Sequence, residues 1–298
     1  MSDVRGVLGR LEQRLGPITD GPRPLEGGIT NRNYRVSFGA CECVVRLPGK
    51  DSSLLGISRR AERIANSAAA ELGLAPPVVA GDDECLVTEY AHGVPGTPET
   101  LRAVPEAVAV PLRKFHDSGI PLGVTFWVPE LLERYAGVVR DHGGSVPERY
   151  AYAGRLASRI GEALPLSEPV PCHNDLLAAN FLSVGDGGAV LLVDWEYAGM
   201  GHRLFDLGNF AVNCELDEAA EIRLLTGYFG ERPTADRVAA LRLMRLMSDA
   251  REAAWGVIQG VISELEFDFG AYAEQHFDRL ERDASSEEFE EWLDAASA

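Results

Sequence analysis

Residues 170–201 constrain the fold of this 298-residue chain more than any other segment. They read VPCHNDLLAANFLSVGDGGAVLLVDWEYAGMG, with two short apolar runs on either side of a glycine- and aspartate-rich turn at 185–188. This pattern predicts a β-hairpin. If the turn closes the hairpin, antiparallel register places Asn180 opposite Val193, so that Asp194 emerges beside Asn180.

Oxygen donors therefore meet at the open end of the predicted hairpin. The side chains of Asn180 and Asp194 supply an amide oxygen and a carboxylate, which are ligands that a hard cation such as Mg2+ prefers. Asp175 lies five residues before Asn180, on the loop that enters the hairpin, and is close enough to serve the same site. The pattern predicts a magnesium site at this position.

The charge balance limits the classes of partner. The chain carries 28 basic and 46 acidic residues, a net charge of -18, which argues against nucleic acid or an anionic membrane and suits a cationic substrate. It contains no run of 18 apolar residues, and its first sixteen residues predict an amphipathic helix rather than a signal peptide. Five cysteines without C-x-x-C spacing predict free thiols, and we expect a cytoplasmic protein.

A glycine-rich turn follows the first helix. The segment GGITNRNYRV at 27–36 predicts a strand, a turn and a second strand, with Thr30, Asn31 and Asn33 as polar donors. Adjacent glycines and small polar side chains are what a loop covering phosphates needs. An ordinary hairpin is the alternative interpretation.

A cation and a carboxylate lie on the next two predicted elements. Arg46 lies near the end of a strand at 41–47, and Glu62 lies in the first half of a helix at 55–72. If the helix packs on the sheet, Glu62 can orient Arg46 toward phosphate oxygens. The alternative is that the two side chains are solvated separately.

The predicted secondary structure changes near residue 91. Before it, further strands are predicted from 74 and at 85–90; after a Gly/Pro-rich stretch at 91–98, helices dominate. We therefore predict a strand-rich lobe at 1–90 and a mainly helical lobe at 91–298. The predicted helices span 98–118, 129–141, 147–164, 204–213, 215–230, 235–263, 269–283 and 287–295.

This order of parts resembles the protein-kinase-like phosphotransferases. The motifs HNDLLAANFL, LLVDWEYAG, FDLGNF and WGVIQGVISELEFDFGAYAEQHF resemble, more narrowly, the choline/ethanolamine kinase family, which is related to the aminoglycoside phosphotransferases. The resemblance covers 25–277. It implies an α+β fold of two lobes: a small antiparallel-sheet N-lobe that binds the nucleotide and a larger, mainly helical C-lobe that carries the catalytic and substrate-binding residues. It also implies ATP and Mg2+ as cofactors.

The resemblance also implies roles for the residues of the hairpin. Asp175 is expected to accept the proton of the substrate hydroxyl, while Asn180 and Asp194 hold Mg2+ against the ATP phosphates. His173 is expected to be structural. Glu196 could reach the metal directly, reach it through water, or support its ligands.

Further roles implied by the resemblance lie outside the hairpin. Arg46, oriented by Glu62, is expected to bind ATP phosphates, and backbone groups of 88–91, including those of Glu89 and Ala91, to meet the adenine. Asp206 is expected to be a buried aspartate that braces the catalytic loop.

The acceptor pocket is expected to bind a cation by aromatic faces and acidic neighbours. The alternative is that the aromatic residues belong to the core. Two positions depart from the choline kinase pattern. Glu252 stands where a further tryptophan is usual, and its carboxylate would suit a primary ammonium or a different cation. Asn213 stands where an acid is usual. The expected pocket comprises Tyr197, Trp255, Phe267, Phe269 and Tyr272.

The leading hypothesis is an ATP- and Mg2+-dependent kinase of a small cationic alcohol, choline or a similar amino alcohol. Thiamine and aminoglycosides are alternative acceptors for the same fold. A metal-dependent hydrolase would use His173, Asp175, Asp194 and His202, although the six histidines of the chain are mostly scattered. A nucleotide-binding pseudokinase is a third alternative.

Overall fold

The computed structural model describes residues 4–25, 31–184 and 189–297. It has the predicted α+β architecture of two lobes, with an antiparallel sheet in the N-lobe and a larger helical C-lobe. The first lobe contains α1 (Val4–Leu15), β1 (Ile18–Leu25), β2 (Asn31–Phe38), β3 (Cys41–Pro48), α2 (Arg59–Glu71), β4 (Val78–Gly81) and β5 (Leu86–Glu89). The remaining elements are β6 (Gly93–Pro95), α3 (Pro98–Ala103), α4 (Pro105–His116), α5 (Val128–Asp141), α6 (Glu148–Ala163), β7 (Val170–Cys172), β8 (Phe181–Val184), β9 (Ala189–Leu192), β10 (Gly199–Gly201), α7 (Arg203–Asn213), α8 (Glu218–Phe229), α9 (Ala235–Ile262), α10 (Phe269–Ala284) and α11 (Glu288–Ala296).

The N-lobe sheet has the strand order β1-β2-β3-β5-β4, and all its neighbouring strands are antiparallel. Its register pairs Asn33 with Arg46, which places both residues near the same end of β2 and β3. Helix α1 buries Val7, Leu8 and Leu11 in the sheet's apolar core, as its amphipathic pattern predicts.

Helix α2 is shorter than the predicted helix at 55–72. It begins at Arg59 because Ser58 is its N-cap, accepting a hydrogen bond from the backbone N–H of Ala61 at 3.3 Å. Its buried face consists mainly of alanines, which belong to the same apolar core as the C-lobe helices. The helix therefore carries Glu62 between the sheet and the large lobe.

The 28-residue helix α9 is the centre of the C-lobe. It is buried on several faces because α5, α6, α7, α10 and α11 all pack against it. Residues 249, 251, 252 and 255 of this helix are buried together with the apolar residues. Charged groups on α9 are thus fixed inside the lobe.

Several predicted boundaries were wrong for local reasons. The predicted helix at 98–118 is two helices, because Val104 precedes Pro105 and has a non-helical backbone. Helix α8 begins at Glu218 rather than at 215, since the side chain of Asp217 caps it. The predicted strand at 74 begins only at Val78, after two prolines.

The predicted hairpin is confirmed in its register. Val184 pairs with Ala189, and the N–H of Val193 donates to the carbonyl of Asn180 at 2.9 Å. The turn at 185–188 lies outside the described residues. Strand β6, which the Gly/Pro-rich stretch did not predict, adds a third strand beside β8. Gly93 allows close approach there, since a Cβ atom would lie 3.0 Å from the carbonyl oxygen of Ser183.

All five cysteines are free, as predicted. Within the described ranges, no helix combines the length and apolar character needed to cross a membrane.

His202 makes the folding stability of the protein depend on pH in the acidic range. It is the N-cap of α7, and its Nδ1 accepts a hydrogen bond from the N–H of Leu204 at 3.2 Å, which requires a neutral ring at that atom. Burial, with Arg203 and His116 nearby, lowers the pKa of His202 from 6.5 to about 4. Below pH 6.5 the unfolded chain thus binds a proton that the folded chain does not, so this residue makes stability fall as the pH falls from 6.5 toward 4.

We expect His202→Asn, which keeps a capping side chain, to reduce the stability lost between pH 7.5 and pH 5.0 by about 1–2 kcal/mol. Urea unfolding at the two pH values measures this. The exposed His142 provides the control, and His142→Asn should follow the wild type. An equal loss of stability in wild type and His202→Asn would contradict the assignment.

Candidate active site

The open end of the β8–β9 hairpin adjoins residues 173–177, the loop for which a catalytic role is expected and which is called the catalytic loop below. Asn180 donates from Nδ2 to the backbone carbonyl of Asp175 at 2.9 Å, so its side chain ties the loop to the hairpin. Asp194 follows β9 with a φ of 68°, a left-handed conformation that is uncommon for a residue other than glycine. The structure therefore brings Asp175, Asn180 and Asp194 to one place, as the hairpin pattern predicted.

Arg46 reaches this place from the N-lobe sheet. Its Nη1 donates to Glu62 Oε1 at 3.0 Å and to Asp194 Oδ1 at 2.6 Å. Burial alone would lower the pKa of Arg46, but the carboxylates of Asp194, Glu62 and Glu196 outweigh it and raise the pKa, so the guanidinium stays charged. The alternative of separately solvated Arg46 and Glu62 is wrong.

Arg59 is a second cation of the site, and the sequence analysis missed it. Its Nη1 lies 2.8 Å from Glu62 Oε2, and its Nη2 donates to Asn31 Oδ1 at 3.1 Å. Asn31 in turn donates to Glu196 Oε2 at 2.7 Å. The spacing of three residues between Arg59 and Glu62 on one helix face was the available signal.

Asp206 fixes the catalytic loop from behind. Its carboxylate accepts the backbone N–H of His173 at 2.8 Å and that of Asn174 at 2.7 Å, and lies 3.0 Å from Nε2 of His116. Burial alone would raise the pKa of Asp206, but His116 and these N–H groups lower it below its usual value. A fully buried carboxylate thus holds the loop that carries Asp175.

His173 is buried and packs against Trp195, with ring centroids 4.6 Å apart. Its Nε2 lies 3.1 Å from the carbonyl oxygen of Val193, so it links the catalytic loop to the end of β9. Burial lowers the pKa of His173. One ring nitrogen of His173 thus bonds the backbone, while its buried Nδ1 has no partner among the described residues.

Asp175 lies in a closed environment. Its exposed fraction is 8%, and burial, reinforced by Glu252 and Asp194 and opposed by Arg251, raises its pKa to about 8. Arg251 Nη1 donates to Asp175 Oδ1 at 3.3 Å. Arg251 was missed by the sequence analysis because nothing local marks it as different from other helix arginines.

The residues expected to form the acceptor pocket contact one another close to Arg251 and Asp175. Tyr272 donates its hydroxyl to Glu252 Oε2 at 2.7 Å, and Trp255 Nε1 donates to the hydroxyl of Tyr197 at 2.8 Å. Phe269 packs edge-on against Trp255. Phe267 is the most exposed of the five aromatic residues, at 43%, and it contacts the rings of Phe269 and Tyr272.

Asn213 lies outside this cluster of rings. Its Nδ2 donates to the backbone carbonyl of Leu176 at 3.4 Å, a contact with the catalytic loop.

A cavity of about 380 Å³ lies between the lobes, in the size range of ligand pockets. Its walls include Thr88 and Glu89, at the end of β5, and Ala91, which follows the strand. Asn33 and Asn66 also line it, and within the described residues their buried Oδ1 atoms have no hydrogen-bond partner. The polar end of the cavity is formed by Arg46, Asn180 and Asp194. Thr30 lies outside the described residues.

The family follows from comparison with known proteins. The model of the phosphotransferase enzyme family matches residues 22–241. The chain belongs to this family. Ethanolamine kinase 2 of Rattus norvegicus is 30% identical over 284 residues, which cover 85% of this chain and 73% of that protein. This relative places the phosphotransferase in the choline/ethanolamine kinase branch, which confirms the resemblance.

Solved structures of related phosphotransferases agree. A choline/ethanolamine kinase family protein from Mesorhizobium loti superposes with a TM-score of 0.81 at 28% identity, covering 97% of this chain and 99% of that one. Choline kinase LicA from Streptococcus pneumoniae gives 0.78 at 20% identity, covering 94% and 98%, and supports the fold. The chain is thus a phosphotransferase enzyme of protein-kinase-like fold, and membership of a kinase family implies the use of ATP.

Replacing Asp206 tests how strongly its carboxylate stabilises the loop that carries Asp175. In Asp206→Asn, one carboxylate oxygen becomes an NH2 group that faces donors instead of accepting from them, leaving buried N–H groups unpaired. We expect a loss of about 2–4 kcal/mol in the free energy of unfolding, measured by urea denaturation.

The exposed Asp83, which pairs with Arg63, serves as the control, and Asp83→Asn should stay within about 0.5 kcal/mol of wild type. Equal stabilities of Asp206→Asn and wild type would show that Asp206 does not hold the loop.

Proposed function

We propose that this protein is an ATP- and Mg2+-dependent kinase that transfers the γ-phosphate to the hydroxyl of a cationic alcohol, choline or a similar amino alcohol. The observation that supports this most is the meeting of Asp175, Asn180 and Asp194 at one hairpin end, with Arg46 reaching them from the opposite lobe. Phosphoryl transfer requires mainly positioning and charge neutralisation, and this set can provide both.

ATP is proposed to occupy the cavity between the lobes. Backbone groups of 88–91 would meet the adenine, and Arg46 would bind phosphate oxygens while Glu62 holds it in place. Oδ1 of Asn33, which lacks a partner in the described part of the chain, is a polar atom available to the nucleotide. We propose residue 91, at the edge of this cavity, as the boundary between the lobes.

The donor set fits Mg2+. Because Nδ2 of Asn180 is used by the backbone of Asp175, Oδ1 is the amide atom left for a cation, and Asp194 adds a carboxylate. When bound there, Mg2+ supplies neutralisation of phosphate charge. Binding requires Asp194 to share its carboxylate between the metal and Arg46, or to release Arg46 to the phosphates.

Asp175 is proposed to orient the acceptor hydroxyl and accept its proton. It is buried beside the aromatic residues and Glu252, so an alcohol in that pocket would place its hydroxyl near the carboxylate. The related proteins are named ethanolamine and choline kinases, which supports an amino alcohol as the acceptor. The acidic chain suits such a cation, and the five free thiols support a cytoplasmic location.

The geometry does not favour a metal-dependent hydrolase. Among the described residues, no three of the four candidate ligands, His173, Asp175, Asp194 and His202, bring their ring nitrogens or carboxylate oxygens within 4.8 Å of one another. A catalytic zinc site would need three such ligands together.

Replacing Asp175 tests the proposal. We expect Asp175→Asn to lower kcat for an amino alcohol by about 10²- to 10⁴-fold, because the amide cannot accept the hydroxyl proton. ATP affinity, measured by calorimetry, should change by no more than a few fold, since Asp175 is not part of the proposed nucleotide cavity. ADP release with ethanolamine, choline, thiamine and an aminoglycoside as acceptors provides the readout.

The exposed Asp141 offers a matched substitution, and Asp141→Asn should behave as wild type. Turnover by Asp175→Asn equal to wild type would refute the proposed role. ATP binding by the wild type without transfer to any acceptor would point to the pseudokinase alternative.

A further inference from the structure

Arg251 is a cation built into the proposed acceptor pocket. It is 1% exposed, and its Nη1 donates both to Asp175 Oδ1 at 3.3 Å and to Glu252 Oε1 at 2.5 Å. Its Nε and Nη2 are buried without a hydrogen-bond partner among the described residues. Because buried donors are normally paired, hydrogen bonding alone does not explain this arginine, and its charge and position call for another explanation.

The guanidinium covers the face of Tyr197. Its Cζ atom lies 4.3 Å from the centroid of that ring, which is the distance of a cation–π contact. The choline kinase pattern predicts that the same ring receives the cationic group of the substrate. Arg251 therefore occupies, from within the protein, a position that a substrate ammonium would use.

The other rings of the pocket are also in mutual contact. Trp255 packs edge-to-face with Phe269 at 5.7 Å and with Tyr272 at 5.4 Å between centroids. Phe267 lies 4.9 Å from Phe269. A trimethylammonium group has no N–H and depends on free aromatic faces, so this packing offers it little.

The carboxylates remain available to a group that can donate hydrogen bonds. Asp175 and Glu252 together present four carboxyl oxygens, and Arg251 Nη1 contacts one oxygen of each, so acceptor atoms are left for a further hydrogen-bond donor. Each oxygen of Glu252 accepts one donor, from Arg251 or from Tyr272, and a carboxylate oxygen can accept a second. A primary ammonium, with three N–H groups, can use these sites.

We propose that Arg251 determines acceptor specificity: by covering Tyr197 and bridging Asp175 and Glu252, it excludes alcohols with a quaternary ammonium and admits those with a primary ammonium. This inference rests on the proposed kinase function and narrows its acceptor class. Arg251 thereby replaces aromatic recognition of the substrate cation by recognition through carboxylates.

The test compares kcat/KM for ethanolamine and choline, with ATP and Mg2+, in wild type and two variants. Wild type should prefer ethanolamine by at least about tenfold, a factor typical of discrimination by a few methyl groups. Arg251→Leu uncovers Tyr197 and should raise the choline-to-ethanolamine ratio of kcat/KM by about tenfold or more. Arg251→Lys keeps a cation in the pocket and should preserve the preference of the wild type.

Arg245→Leu is the matched control. Arg245 is also an arginine of α9 that pairs with a buried carboxylate, and its hydrogen bonds go to Glu221 and to the backbone carbonyl of Leu216. This variant should leave the ratio unchanged. If Arg251→Leu does not fold, Arg251→Gln takes its place: it keeps hydrogen-bond donors for the two carboxyl groups but removes the cation from the face of Tyr197, so it should raise the ratio in the same direction, and an unchanged ratio would overturn the role of Arg251.

The outcomes separate the two proposals. A wild type that uses choline as well as ethanolamine, or an Arg251→Leu variant with an unchanged ratio, overturns the role of Arg251 while the kinase function stands. Absence of transfer to either amino alcohol by the wild type overturns the proposed function and this inference together.

Discussion

The contact between Arg46 and Asp194 joins the N-lobe sheet to the hairpin of the C-lobe, and the active site depends on it. Without Arg46, Asp194 would be an uncompensated carboxylate at the end of a partly buried hairpin, and the buried Glu62 would keep only its pairing with Arg59. A single guanidinium satisfies both. The same principle recurs around it: Arg59 compensates Glu62 and Glu196, and Arg251 compensates Asp175 and Glu252. An acidic chain thus places three of its arginines where buried carboxylates meet.

This compensation links stability to function. A removed partner leaves a buried charge that costs several kcal/mol, so the arginines are structural as well as chemical. Their positions also define what can enter. In the proposed function, Arg46 faces the phosphates of a nucleotide, whereas Arg251 faces the acceptor pocket and competes with any cation there. The two sides of the hairpin would then select ligands of opposite charge, anionic phosphates on one side and a cationic alcohol on the other. On each side the selection would depend on an arginine that is paired with carboxylates.

Local patterns predicted much of this arrangement. The alternation of apolar runs around a four-residue turn was sufficient to place Asn180 beside Asp194, because antiparallel register follows from counting. The strand position of Arg46 and the helix position of Glu62 predicted their meeting. The helix spacing of Arg59 and Glu62 could have predicted that one pair. The other partners of Arg59 lie 28 and 137 residues away, and Arg251 lies 76 residues from Asp175, so only packing brings these residues together. Strand β6 was hidden for a similar reason: its glycine and proline indicate a turn, and only pairing with β8 makes it a strand.

The central claim is that the hairpin end transfers phosphate to an amino alcohol rather than to water. Phosphorus NMR of the wild-type protein with ATP, Mg2+ and ethanolamine tests it most directly. The account predicts that the γ-phosphate signal is replaced by that of a phosphomonoester as ADP forms, and that ATP is stable when the amino alcohol is omitted. Conversion of ATP to ADP and inorganic phosphate at the same rate with and without the amino alcohol would contradict it.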